Sequence, residues 1–253
     1  MAFYFWRLLF CALTCTTINF SFGLRVISYN LNDKLRLKSK QRNIVKLLKE
    51  LDGDILCLQE VNRKSEAARL AKELEMDWNH HAWHEGGMTV LSKTKILDWI
   101  NIEIPDSYYN ALVAIKTQNI WFCSVHLAST QYTIDDSERY GELSFIINEI
   151  NKLNEENIIV AGDFNSLETS NVHDLMEHNG FNDTHKNRPW KKGTWMPAKN
   201  NEERIDRIYC KGDFFLSNGM VVDHNDIVWL KSIGWPTGND HRLVLTDFIV
   251  KKR

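Results

Sequence analysis

Six short runs of this sequence end in side chains that can bind cations, activate water or carry protons. LRVISY (24–29) runs into Asn30-Leu31-Asn32, ILCLQ (55–59) into Glu60, NIWFCSV (119–125) into His126, and NIIVAG (157–162) into Asp163-Phe164-Asn165. RIDRIYC (204–210) contains Asp206, and Asp240-His241 precedes RLVLTDFIV (242–250). One Asp-x-Asn after a strand is ordinary turn chemistry. Six polar strand ends in one chain are a pattern. Glu60, Asp163 and Asp240 are hard oxygen donors suited to Mg²⁺ or Mn²⁺, and Asn30 and Asn165 add neutral amide oxygens. His126 and His241 offer proton transfer near neutral pH. Asp206 can fix the tautomer of one of them, as carboxylates do in other hydrolytic sites. Phosphoester hydrolysis needs such a kit: a cation on the phosphoryl oxygens, a base for water, and help for the leaving oxygen.

Strands and helices must bring these ends together. Apolar spacing predicts helices over 40–51 (Ile44, Leu47, Leu48, Leu51, with Ser39 as a cap), 65–76 (Ala68, Ala71, Leu74) and 137–153 (Leu143, Ile146, Ile147, Ile150, Leu153, with Ser137 as a cap). Short strands are expected at WNHHAW, MTVLS, ILDWINIE and ALVAIK besides the runs above, and the stretch near 166–200 reads as loop-rich. Strand–helix–strand units separated by a run of consecutive strands predict one α/β domain of two packed sheets flanked by helices.

Residues 1–23 stand apart. MAFYFWRLLFCALTCTTINFSFG carries one cation, Arg7, no acid, an apolar run from Leu8 to Leu13, and the small residues Ser21 and Gly23 before Leu24. This is the pattern of a secretory signal peptide, with the domain at 24–253, and it predicts a secreted or periplasmic protein without stable membrane association. Its removal shifts the formal net charge from −2 to −3, so overall charge does not mark a nucleic-acid binder. Of the five cysteines, Cys57, Cys123 and Cys210 remain, each inside an apolar run. They read as buried free thiols. The histidines of WNHHAWHEGG read as surface or packing residues, because their spacing on a strand does not converge on a metal.

Taken in order, SYNLN, ILCLQEV, SVHL, VAGDFNS, RIDRIY and GNDHRLV resemble the endonuclease/exonuclease/phosphatase superfamily, over about Leu24 to Val250. The superfamily includes pancreatic-type deoxyribonuclease, sphingomyelinases, inositol polyphosphate 5-phosphatases and tyrosyl-DNA phosphodiesterase 2. The resemblance implies a four-layer α/β sandwich of the deoxyribonuclease I type, two mixed sheets face to face with helices outside and the site at one end. It makes Glu60 the principal Mg²⁺ ligand with Asn30 beside it, and Asp240-His241 the terminal Asp-His pair, Asp206 supporting the imidazole. Asp163 orients or deprotonates the attacking water, Asn165 holds a phosphate oxygen or the water, and His126 assists the leaving group. Asn32 stands where many relatives have Asp, which removes one negative charge.

The resulting expectation is a Mg²⁺- or Mn²⁺-dependent phosphodiesterase, a nuclease on DNA or RNA, taken as a monomer by default. Two basic stretches favour a nucleic-acid substrate. They are Lys34, Arg36, Lys38, Lys40 and Arg42, and the set Lys186, Arg188, Lys191 and Lys192 interleaved with Trp190 and Trp195. Arg139 is open to two readings, a site residue or a solvated helix face. The rivals are a sphingomyelinase or inositol-phosphate phosphatase on the same fold, and a catalytically dead secreted binding module.

Overall fold

Alternation along the strands sorts side chains into two faces, and that sorting builds the layers. The structure, a computed structural model, describes residues 21–36, 38–83, 86–105, 107, 111–129, 136–186, 193–198, 201–222, 226–227 and 240–251. The strands are β1 (Ser21–Asn30), β2 (Ile55–Gln59), β3 (Asp77–Trp83), β4 (Gly86–Ser92), β5 (Asp98–Glu103), β6 (Ala111–Thr117), β7 (Ile120–His126), β8 (Ile158–Asp163), β9 (Asn182–Asp183), β10 (Trp195–Ala198), β11 (Asn201–Glu203), β12 (Asp206–Lys211), β13 (Phe214–Val222) and β14 (Leu243–Lys251). The helices are α1 (Lys38–Leu51), α2 (Lys64–Leu74), α3 (Ser137–Lys152) and α4 (Asn171–His178).

One six-stranded sheet has the order β13-β14-β1-β2-β4-β3 and the other β5-β6-β7-β8-β12-β9, while β10 and β11 form a two-stranded ribbon. Each large sheet is mixed: β1 and β2 run parallel, as do β7 and β8, among antiparallel neighbours. In the first sheet Ile27, Tyr29, Leu56 and Leu58 pack with Ile44, Leu47 and Leu48 of α1 and Ala67, Leu70 and Ala71 of α2. The alternate residues Val26, Ile55, Cys57 and Val90 meet Val113, Phe122, Ile159, Ala161 and Ile208 of the second sheet. The outer face of that sheet carries Trp121, Cys123, Ile158, Val160 and Tyr209 against Leu143, Ile146, Ile147 and Ile150 of α3 and Val172 and Met176 of α4. The layers are therefore helices, sheet, sheet, helices: the expected four-layer sandwich.

Local differences from the sequence reading have physical causes. α4 lies inside the stretch read as loop. Its apolar face is Val172 and Met176, one helical turn apart, and Ser170 Oγ accepts the Val172 N–H at 3.2 Å as its cap. β13 lacks a clear alternating pattern because it is an edge strand whose residues Phe215, Leu216, Ser217 and Asn218 are exposed in succession. Ser39 and Ser137 lie within α1 and at the first residue of α3 rather than at their caps. α2 buries Ala67, Leu70 and Ala71 rather than a face through Ala68. β1 starts at Ser21, and Ser21, Phe22 and Gly23 pair with Lys251, Val250 and Ile249 of β14. Residues 1–20 lie outside the described residues. Cys57, Cys123 and Cys210 are buried free thiols as expected, and burial pushes the Cys57 thiol up to about 12.

Candidate active site

Parity decides which strand ends meet. Counting back two at a time from Asn30 reaches Val26, from His126 Phe122 and from Asp163 Ile159, and counting forward from Asp206 reaches Ile208, all on the facing surfaces of the two sheets. Each of the four polar residues therefore sits where its strand leaves the inter-sheet core. Register completes the arrangement: His126 pairs with Asp163 and Asp163 with Asp206, so the three stand abreast on β7, β8 and β12. Asn30 and Glu60 arrive from the opposing sheet, and His241 from the turn before β14.

Asp163 is where these groups converge. Its Oδ2 accepts from Asn30 Nδ2 at 3.0 Å and lies 3.8 Å from the Nε2 atoms of both His126 and His241. Its Oδ1 accepts the Asn165 N–H at 2.9 Å. His241 Nδ1 bonds Asp206 Oδ2 at 3.0 Å, which turns Nε2 of that ring toward Asp163. Asn30 Nδ2 also donates to Glu60 Oε1 at 3.0 Å, tying the first sheet's carboxylate to the second sheet's. Asn165 Nδ2 donates to the Leu127 carbonyl at 2.8 Å, and Leu127 N–H to the Asp163 carbonyl at 3.0 Å, so the chain after His126 is braced on the Asp163 turn.

The electrostatics follow from burial. Burial and the nearby Asp206 raise the Asp163 carboxyl above its usual range, against the pull of His241, His126 and the Asn30 amide. Burial works against a charged His241, but Asp206, Asp163 and Asp240 overrule it and lift the imidazole to about 10. Asp240, also partly desolvated, is held below the usual carboxylate range by His241, the Asn32 amide and the Trp195 indole.

Glu60 sits at φ 55°, Asn165 at 47° and Asn32 at 45°. Asn tolerates the left-handed region and Glu does not, so Glu60 carries a strain of about 1–2 kcal/mol. Its neighbours impose that conformation: Val61 N–H bonds the Gly87 carbonyl at 2.9 Å. A Cβ on Gly87 would come within 1.8 Å of the Val61 carbonyl oxygen, so glycine is required there.

Among the described residues, the donor atoms that lie within 4.8 Å of one another belong to Asp163, Asp206 and His241, a candidate divalent-cation site. The donor chemistry fits: two buried carboxylates stand side by side, and Asp206 Oδ1 is buried without a hydrogen-bond partner. Glu60 joins this group through Asn30. Asp240 stands apart, Oδ1 taking the Asn32 amide at 2.5 Å and Oδ2 the Trp195 indole at 3.2 Å.

Lys34 Nζ reaches Asn32 Oδ1 at 3.0 Å, Arg36 pairs with Asp33 at 2.9 Å and Lys186 with Glu177 at 2.5 Å. Arg188, Trp190, Lys191 and Lys192 lie outside the described residues. Arg139 is no solvated face: it is buried, pairs with Asp136 and reaches the Ala128 carbonyl at 3.5 Å. The sequence reading missed Asn32 and Trp195 as partners of Asp240, and Glu142, whose Oε2 accepts the Ala128 N–H at 2.8 Å. Contacts across 14 to 208 residues leave no mark in local spacing.

Two facing mixed sheets between helix layers, with acids and imidazoles at the strand ends, define a metal-binding phosphoesterase fold of the deoxyribonuclease I-like type. The chain belongs to the Endonuclease/Exonuclease/phosphatase family, whose model matches residues 17–237. Among curated protein sequences none matches the chain significantly. Solved structures do. A family member from Bacteroides thetaiotaomicron aligns with TM-score 0.71 and 19% identity over 91% of this chain and 99% of that one. Truncated Caenorhabditis elegans TDP2 aligns with TM-score 0.69 and 19% identity over 90% and 98%. A mannosyl-6-phosphatase of B. thetaiotaomicron aligns with TM-score 0.70 and 18% identity over 90% and 100%. At these identities the likeness is one of fold.

Proposed function

We propose that this protein is a Mg²⁺- or Mn²⁺-dependent phosphodiesterase, a nuclease that cleaves DNA or RNA, exported after removal of residues 1–23. The observation that carries the reading is the convergence of Asn30, His126 and His241 on one buried oxygen of Asp163. Asp163 and Asp206 would hold the cation, with Glu60 completing the set through Asn30. When bound, the cation polarises the phosphoryl group and offsets its charge.

This chain's own residues do the rest. Asp163, its carboxyl raised by burial, takes a proton from the attacking water as the new P–O bond forms. Asp206 fixes the orientation of the His241 ring and keeps it charged beside the phosphoryl oxygens. His126, on the other flank of Asp163, gives a proton to the leaving oxygen as the old P–O bond breaks. Two imidazoles around one carboxylate suit a diester, whose alkoxide leaving group needs protonation. Lys34 and Arg36, just beyond Asn32, suit a polyanion running past that edge.

The test is hydrolysis of plasmid DNA and of a bis-aryl phosphodiester, with Mg²⁺ or with EDTA, beside Glu60→Ala and His241→Ala. Nicking that disappears in EDTA and in both variants is expected. Turnover of the small diester without nicking would move the substrate to a lipid or inositol phosphate. No turnover of either, with no Mg²⁺ binding, would sink the enzymatic reading in favour of a binding module.

A further inference from the structure

His241 and Asp206 are 35 residues apart, yet their 3.0 Å bond must be held closely if the pair is to handle protons. The segments that carry them share one neighbour. Thr194 is fully buried, and its Oγ1 accepts the backbone N–H of Ile205 at 3.0 Å and of Asp206 at 2.9 Å. Its own N–H donates to the Glu203 carbonyl at 2.8 Å, and its carbonyl accepts the Arg242 N–H at 2.6 Å. The flanking residues repeat the link. Trp195 forms a bridge with His241 and donates its indole N–H to Asp240, and the Gly193 carbonyl accepts from Arg242 Nη1 at 2.8 Å. Thr194 thus grips the Asp206 strand by its side chain and the His241 segment by its backbone.

We infer that Thr194 is a positioning residue, the staple that sets the Asp206–His241 geometry. A hydroxyl is needed because one oxygen accepts from two successive amides where β12 begins. Valine has the same shape but no acceptor, and it would leave both N–H groups buried without a partner. Serine keeps the oxygen. Thr194's role rests on the reading of Asp206–His241 as the pair that handles protons, so its test has one arm that does not depend on turnover.

The experiment compares Thr194→Val, Thr194→Ser and Thr117→Val with wild type. Thr117 is a control at the far end of the sandwich, also buried, whose Oγ1 donates to the Lys95 carbonyl at 3.0 Å. Turnover of the diester is read as kcat and KM, and the low-field proton of His241 Nδ1 is followed by NMR, assigned by its loss in His241→Ala. Thr194→Val is expected to lower kcat about 10- to 100-fold with KM within about twofold and to shift or broaden that proton. Thr194→Ser should restore both, and Thr117→Val should lose stability while keeping kcat and the proton signal.

A valine variant with wild-type kcat and an unmoved proton would overturn the assignment. So would a serine variant that fails to restore them, or a threonine-117 variant that loses them equally. Should Thr194→Val not fold, Thr194→Ser decides alone by keeping or losing both readouts. If the wild type hydrolyses nothing, the nuclease reading falls, and the proton signal still decides what Thr194 does.

Discussion

Asp163 and Asp206 were legible as candidates from their positions in apolar runs, but the sequence did not say which oxygen faces which ring. The structure separates their roles: Asp206 serves His241, and Asp163 is approached by both imidazoles. Asp206→Asn keeps the size of the side chain and removes the charge that holds His241 protonated. Its kcat should fall about 10²- to 10⁴-fold with little change in fold, measured by steady-state hydrolysis and circular dichroism. A loss below threefold would show that Asp206 is not catalytically coupled. Glu60 makes the opposite kind of prediction. Its left-handed backbone destabilises the folded state, so Glu60→Asn, a residue at ease at φ 55°, should raise Tm while hydrolysis is lost. A lower Tm would mean that the bond from Asn30 outweighs the strain.

Helix α3 and the α4–β9–β12 corner show how secondary elements stiffen the site from behind. α3 buries Ile146 against the second sheet and offers Glu142 to the Ala128 N–H two residues past His126. Ile146→Ala is expected to cost about 2–5 kcal/mol in denaturant unfolding, because the cavity would open between rigid layers. In the corner, Asp183 is clasped by Arg204 and Arg207, the latter bond at 2.8 Å, and the two arginines also hold Glu168. Burial would raise the Asp183 carboxyl, yet the arginines hold it at about 2. Beside them His173 bonds Tyr209 at 2.8 Å and the Ser166 carbonyl at 3.2 Å, and burial with Arg207 lowers it to about 4.

The signs add in acid. Below about pH 6.5 the unfolded chain takes a proton that folded His173 refuses until about 4. The stability from Asp183 is present above its unfolded value of about 3.9 and is lost as pH falls through about 2. Tm in EDTA should therefore fall in two steps on acidification, and His173→Gln should shrink the upper one, the remainder belonging to His80, which burial also lowers to about 4. One step near neutrality in both proteins would show that other groups govern the acid limb.

The whole molecule is a stack of four layers in which polar residues at the ends of the inner faces gather from two sheets. Asp163 and Asp206, held side by side by the fold, repel each other, and a bound cation offsets that repulsion. Mg²⁺ or Mn²⁺ should therefore raise Tm, by about 2.7 kcal/mol of stability at a hundred times its Kd, and Asp163→Ala should abolish the rise. Among the described residues no helix is long and apolar enough to cross a membrane. Removal of residues 1–23 would take three pairs from the β1–β14 ladder and leave Leu24 to Ser28 paired. The exported protein should then carry Leu24 at its N-terminus, read by mass spectrometry, and a retained leader would contradict the proposed export.

Period-two and helical apolar patterns are local, so the amino-acid order alone specified most strands, the long helices, the α/β class and the polar residues that end the inner strands. α4 and β13 escaped because one helical turn of apolar contacts and an exposed edge strand leave weak patterns. Register, the pairing of Asp206 with His241, the bond of Asn32 to Asp240 and the grip of Thr194 join residues far apart in the chain. They exist only once two sheets pack face to face, because each depends on which residue the fold sets opposite which, and no local periodicity encodes that.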